Sequence, residues 1–262
     1  MSPPDHVGEF AALTLRGVSA ARNGHTVWSG ADFEVPPGGI VAVIGPNGSG
    51  KTTLLQVVLG LIPAASGQVE VFGEPPGAVN DKIGYVPQNY ASTSDEAIRV
   101  RDAVMLGRNG HRWGLSWVDR SDRRHVDEAL AAVDAGALGD RRVSQLSGGQ
   151  RQRVALAAAL AGQPRMLILD EPLASLDLGN QREIVALLAR INNERGVTIL
   201  VVAHDLNPLR RVLTSAIYLK DGRVGYEELD GSLDGDLLTH LYGAPIEIAH
   251  PHGDQVMRGG NR

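Results

Sequence analysis

The 262-residue sequence has no cysteine. That excludes disulfides and thiolate metal sites, and it fits a reducing compartment. Aromatic residues are scarce, at 4%. Positive charge is not in excess either, because 25 lysines and arginines face 30 aspartates and glutamates, for a net charge of −5. That balance argues against nucleic acid as a partner, since such surfaces are usually basic. No apolar run approaches the ~20 residues needed to cross a bilayer. The longest ones, such as MLIL and TILVVA, are strand-sized. The opening MSPPDHVGEF lacks the basic start and apolar core expected of a secretory leader. Work at a membrane would therefore need another chain to supply the membrane part. Internal repeats and low-complexity tracts are also missing.

What is present is a core-forming pattern. The hydrophobic fraction is 43%, ample for a packed interior. Residues 11–18 and 31–35 alternate like half-buried strands, and a Pro-Pro-Gly-Gly turn follows. IVAVI at 40–44 is a continuous β-branched run, as suits a parallel strand buried on both faces. The pattern then predicts a helix ending near Gly60, a strand over 66–73 and a strand over 83–88 that runs into a loop. From 89 to about 162 the periodicity is helical and more polar. Strand-like runs return at 165–170 and 197–204, with a helix between them. Strands alternating with helices around a helical insertion predict an α/β fold with a parallel-sheet core.

Two glycine-rich stretches carry chemistry. GPNGSGKTT at 45–53 fits G-x-x-x-x-G-K-[S/T] and lies between a buried strand and a helix, the context that motif requires. Glycines let backbone N–H groups turn inward without Cβ clashes. Those N–H groups and the positive helix end bind phosphate oxygens. Lys51 can reach the terminal phosphates, and the Thr52 hydroxyl can bind Mg²⁺. LILDE at 167–171 sets Asp170 at a strand end as a metal-orienting carboxylate. Glu171 comes next, so strand alternation sends its side chain to the opposite side, where it can act as a general base on water. LSGGQ at 146–150 is the second stretch. Ser147 stands at a helix N-cap position, and Gly148 and Gly149 bare the backbone there. Within a monomer, this second anion cradle is surplus.

The sequence resembles the ATP-binding subunits of ABC transporters. The resemblance rests on GPNGSGKTT (45–53), Gln88 in YVPQ, LSGGQRQR (146–153), LILDEP (167–172), SLD (175–177) and AHD (203–205), all in the family's order and spacing. It covers about residues 10–245. It implies a P-loop NTPase (RecA-like) core over 10–88 and 163–228, with an antiparallel β subdomain and an inserted helical subdomain over 89–162. Residues 1–9 and 246–262 are expected to be loosely ordered tails. The resemblance also implies ATP and Mg²⁺ as ligands. Gly45, Pro46, Asn47, Gly48, Ser49, Gly50, Lys51, Thr52 and Thr53 would form the phosphate cradle. Ser147, Gly148, Gly149 and Gln150 would cap the ATP of a second copy paired head to tail, so the two cradles need not meet within one chain. Thr52, Asp170 and Gln88 would hold the metal, and Gln88 would also sense the membrane partner. Glu171 would align water, and His204 would contact the γ-phosphate. Asp177 would link the two ATP sites, unless it serves only as a helix N-cap. A departure falls at Arg22, where relatives commonly place an adenine-stacking aromatic. An arginine plane can stack on a base; without that stacking adenine would be loosely held. Trp28, nearby, reads as core.

The segment from Asp102 to Leu138 and the ending LLTHLYGAPIEIAHPHG resemble importer subunits for metal ions and iron chelates. This implies a transmembrane permease, a second ATPase copy, an extracytoplasmic solute-binding protein, and a place on the cytoplasmic face of the membrane. Import or export of a non-metal substrate is the alternative. A soluble ABC ATPase fits less well, because fewer than a hundred residues separate the two cradles and they show no extended heptads.

Overall fold

The structure is a computed structural model that describes residues 10–88, 97–109, 119–203 and 205–229. Its apolar runs feed two separate cores. In β3 (Ile40–Ile44), Ile40, Ala42 and Ile44 pack into one core, while Val41 and Val43 pack into the other. The same division holds in β6 (Met166–Asp170) and β7 (Thr198–Val202). Both faces of these strands are covered, which explains why their sequences are uniformly apolar instead of alternating. On one side lie α1 (Lys51–Val58), β1 (Leu13–Arg22), β2 (His25–Val35) and β4 (Ser66–Val71). On the other lie α2 (Val100–Asn109), α3 (Arg120–Ala132), α4 (Gly148–Leu160) and α5 (Leu178–Arg195).

With β5 (Ile83–Val86), β8 (Ser215–Lys220) and β9 (Arg223–Glu228) added, the nine strands among the described residues run in the order β4-β1-β2-β9-β8-β3-β7-β6-β5. β8, β3, β7, β6 and β5 are parallel neighbours. β1 pairs antiparallel with β2 and β4. One parallel pair, Ser29 with Arg223, joins the antiparallel part to the rest.

Two hairpins go beyond what the sequence pattern predicts. β1 and β2 extend to a tight turn at Asn23-Gly24, where both residues have positive φ (50° and 79°). β8 and β9 turn likewise at Asp221-Gly222 (49° and 72°). Asn-Gly and Asp-Gly are the usual residues for such turns, because the backbone twist needs left-handed conformations at both positions. The signal was therefore present in the sequence.

Among the described residues, the α-helices α2 to α4 lie between β5 and β6. Arg153 on α4 donates to the Val133 carbonyl (2.9 Å) just after α3 and to Glu183 on α5 (2.8 Å). Arg190 on α5 donates to Asp134 (2.9 Å). Together these bonds tie the inserted helices to the sheet-covering helix α5. The expected tails, 1–9 and 246–262, lie outside the described residues.

Candidate nucleotide-binding site

The loop after β3 needs its glycines. Gly45, Gly48 and Gly50 have φ of 154°, 79° and 99°. A Cβ at Gly45 would sit 2.4 Å from the Leu219 carbonyl oxygen, and one at Gly50 would sit 2.5 Å from Val27 Cγ1. The loop then opens α1 without any side-chain cap. By contrast, α3, α4 and α5 are capped by Asp119, Ser147 and Asp177. An uncapped helix start leaves orphan N–H donors for a ligand. Ser49 Oγ, in the same loop, is buried with no hydrogen-bond partner. A buried hydroxyl without a partner is costly unless a ligand satisfies it. These features fit phosphate.

Lys51 is buried, and its ammonium donates to the carbonyls of Gly45 (2.7 Å) and Pro46 (3.0 Å). Burial lowers its pKa, and the charges of Glu171 and Asp170 oppose that shift. The cation is thus held over the loop with two carboxylates nearby. A cleft of about 320 Å³ opens in front of it. Asn47, Gly48, Gly50, Lys51, Thr52 and Thr53 line one side, with Arg22 and Val27. Gln88, Asp170, Glu171 and Val202 line the other. The sheet order brings this second group in, since β3, β7, β6 and β5 end side by side.

Burial raises the Asp170 pKa, Glu171 raises it further, and Lys51 acts in the opposite direction. Asp170 and Glu171 therefore share one cleft. This corrects the expectation that strand alternation sends the Glu171 side chain to the opposite side. Glu171 has a φ of 53°, a left-handed conformation rare for a residue with a side chain. Its N–H still bonds to the Val202 carbonyl (3.0 Å), but the strand geometry has ended and the side chain is re-aimed. Backbone of this kind costs energy and clusters at functional sites. Gln88 Nε2 donates to Glu171 Oε2 at 2.6 Å, joining the end of β5 to the end of β6.

Arg22 reaches the cleft wall, where it can face a base. Trp28 does not reach it. Trp28 is fully buried, and a Cβ on Gly50 would meet its Cδ1 at 2.7 Å, so it backs the phosphate loop from the core. His204 lies outside the described residues. Its neighbours Ala203 and Asp205 line, with Glu171 and Ser175, a smaller cavity of about 160 Å³.

The second glycine stretch is elsewhere. None of Ser147, Gly148, Gly149 and Gln150 lines the cleft. Ser147 caps α4 by accepting from the Gln150 N–H (3.3 Å), while the Gln150 side chain accepts from the Ser147 N–H (3.1 Å). Asp177 caps α5 by accepting from the Asn180 N–H (2.9 Å). Asn180 belongs to none of the motifs in the sequence, since no local pattern marks its surroundings.

A glycine loop over an uncapped helix, a buried lysine and two carboxylates across the cleft define an ATPase of the P-loop class. The chain belongs to the ABC transporter family, whose profile matches residues 28–174. It is an ATP-binding, ATP-hydrolysing subunit of that family. It is 37% identical to the zinc transport system ATP-binding protein TroB of Treponema pallidum, over 90% of this chain and 88% of that protein. It is also 37% identical to the phosphonates import ATP-binding protein PhnC of Stutzerimonas stutzeri, over 94% and 95%. Among solved structures it resembles a metal-chelate type ABC transporter in an inward-facing conformation, with a TM-score of 0.79, 29% identity, and 90% of each chain covered. It also resembles the dimeric cassette MJ0796 bound to ADP and Pi, with a TM-score of 0.69, 29% identity, and 84% and 99% covered. No helix among the described residues is long and apolar enough to cross a membrane.

Proposed function

We propose that this chain powers import of a transition-metal ion (manganese, zinc or iron) or of a metal chelate. The observation that carries this reading is the 37% identity to a zinc-transport ATP-binding protein along 90% of the chain. In this reading two copies pair head to tail, each capping the other's ATP with Ser147 to Gln150. The absence of that segment from the cleft supports the pairing, because a second chain must then complete each site. The pair docks on a transmembrane permease at the cytoplasmic face, and an extracytoplasmic solute-binding protein delivers the cargo. The ATPase fold occupies 10–245, with the inserted helical subdomain at 89–162 receiving the permease.

Lys51 and the loop N–H groups bind the phosphates, and Arg22 stacks on the base. Thr52, Asp170 and Gln88 offer the oxygen donors that suit Mg²⁺. When bound, that ion neutralises charge on the β- and γ-phosphates. The Glu171 carboxylate accepts a proton from the attacking water as the bond to the γ-phosphorus forms and the bond to the bridging oxygen breaks. Gln88 holds that carboxylate in the cleft. His204 contacts the γ-phosphate, and Asp177 links the two ATP sites. Closure of the pair around ATP, and its reopening after hydrolysis, would drive transport.

The similarity to a phosphonate importer favours a second reading, in which the cargo is an oxyanion. The test is to delete the chain in its host, starve the cells of metals, and measure cellular manganese, zinc and iron by mass spectrometry. Complementation uses wild type and Lys51→Ala. Selective loss of one metal, restored only by wild type, supports metal import. Unchanged metals with impaired growth on phosphonate as the phosphorus source support the second reading.

A further inference from the structure

Asn180 lies in the first turn of α5, half-buried, and belongs to none of the motifs above. Its two ends face two different elements. The backbone N–H donates to Asp177 Oδ1 (2.9 Å), and the side-chain Nδ2 donates to Asp177 Oδ2 (2.6 Å). Both carboxylate oxygens of Asp177 are thus engaged by one residue. These bonds hold the Asp177 pKa below the usual carboxylate range, the backbone bond first and the side-chain bond second. The other end of the amide faces Gly149. A Cβ on Gly149 would lie 2.3 Å from Asn180 Oδ1 and 2.9 Å from Cγ. A side-chain tip could usually move aside, but this one is tied at Nδ2 to Asp177. The buried Gly149 is therefore fitted against a fixed amide.

We infer that Asn180 is a positioning residue that sets the Asp177 loop in register with the N-terminus of α4, so that one chain presents both to the ATP of the other copy. The inference rests on the head-to-tail dimer proposed above. Asn180 touches no nucleotide in its own chain, since it does not line the cleft. Its loss should spare nucleotide binding by the monomer and impair only what needs the closed pair. A hydrogen bond to a carboxylate is strong enough to matter at this scale.

The test compares Asn180→Asp and Asn180→Ala in the full chain. Asn180→Asp keeps the shape but replaces the donor with a charge facing Asp177. Four quantities are measured: binding of a fluorescent ATP analogue by the monomer, the thermal midpoint, the ATP concentration that half-converts a Glu171→Gln background to dimer by size exclusion, and turnover in the chain that keeps Glu171. The expected result is unchanged monomer affinity, a midpoint within a few degrees of wild type, and a roughly tenfold rise in the ATP needed for dimer, with turnover reduced in the Glu171 background. Asn180→Asp should be at least as impaired as Asn180→Ala. Equal dimerisation in all variants overturns the inference while leaving the dimer reading intact. So does a fall in monomer affinity, or in the thermal midpoint, that accounts for the whole loss. If Glu171→Gln alone stays monomeric at saturating Mg-ATP, the dimer reading falls and takes the inference with it.

Discussion

Replacing Glu171 with glutamine isolates charge from position. The native carboxylate accepts from Gln88 Nε2 at 2.6 Å, and the glutamine carbonyl oxygen can accept the same bond. The side chain therefore stays in place, and the lost feature is the ability to take a proton. A positioned general base is worth about 10²–10⁴ in rate, equivalent to about 2.7–5.4 kcal/mol of barrier at 1.36 kcal/mol per tenfold. Binding should not suffer, since removing a negative charge beside Lys51 and the phosphates reduces repulsion. The assay is phosphate release at saturating Mg-ATP, with nucleotide affinity measured separately. The expected outcome is a loss of at least about 10² in turnover at equal or tighter affinity. Gln88→Ala is the companion variant. It keeps the base but frees it, and the loss of one hydrogen bond to a charged group predicts a fall of roughly 10–100-fold. Turnover of Glu171→Gln within tenfold of wild type would refute the assignment of Glu171 as base.

Three further outcomes are expected. Gly107→Ala should destabilise the chain by about 1–3 kcal/mol in urea titrations, because a Cβ there would lie 2.2 Å from the Ala158 carbonyl oxygen across the α2–α4 contact. Arg22→Ala should weaken ATP binding by roughly two- to fivefold and Arg22→Tyr should restore or exceed it, as read by fluorescent-nucleotide titration. The raised Asp170 pKa means that the folded chain holds its proton more tightly than the unfolded chain. Asp170 therefore contributes stability below the ordinary carboxylate pKa, and that contribution is lost as pH rises through the folded value. Glu171→Gln removes one cause of the raised value, so the Asp170 carboxyl should titrate lower by NMR and the stability–pH slope above 3.8 should flatten.

Legibility in the sequence followed the range of the interactions. The phosphate loop was readable because strand, loop and helix are contiguous, and its glycines answer to local backbone needs. IVAVI and LILD were readable as buried strands because both of their faces are covered. The two hairpins at Asn23-Gly24 and Asp221-Gly222 carry equally local signals, but hydrophobic alternation does not mark the first of them, because β1 breaks it with bulges. The Glu171 side chain was misplaced for a different reason. Alternation assumes that the strand continues, and the left-handed turn at that residue ends it.

By itself the sequence determined the class of chemistry: a P-loop, a strand-end carboxylate pair, and a second glycine stretch at a helix N-terminus. Only the tertiary structure decided what meets what. It brought Gln88 to Glu171 across 83 residues and fitted Asn180 between Asp177 and Gly149. The physical reason is the strand order β3-β7-β6-β5, together with the packing of α4 on α5. Both juxtapose segments far apart in the chain, so no local spacing or periodicity encodes their contacts.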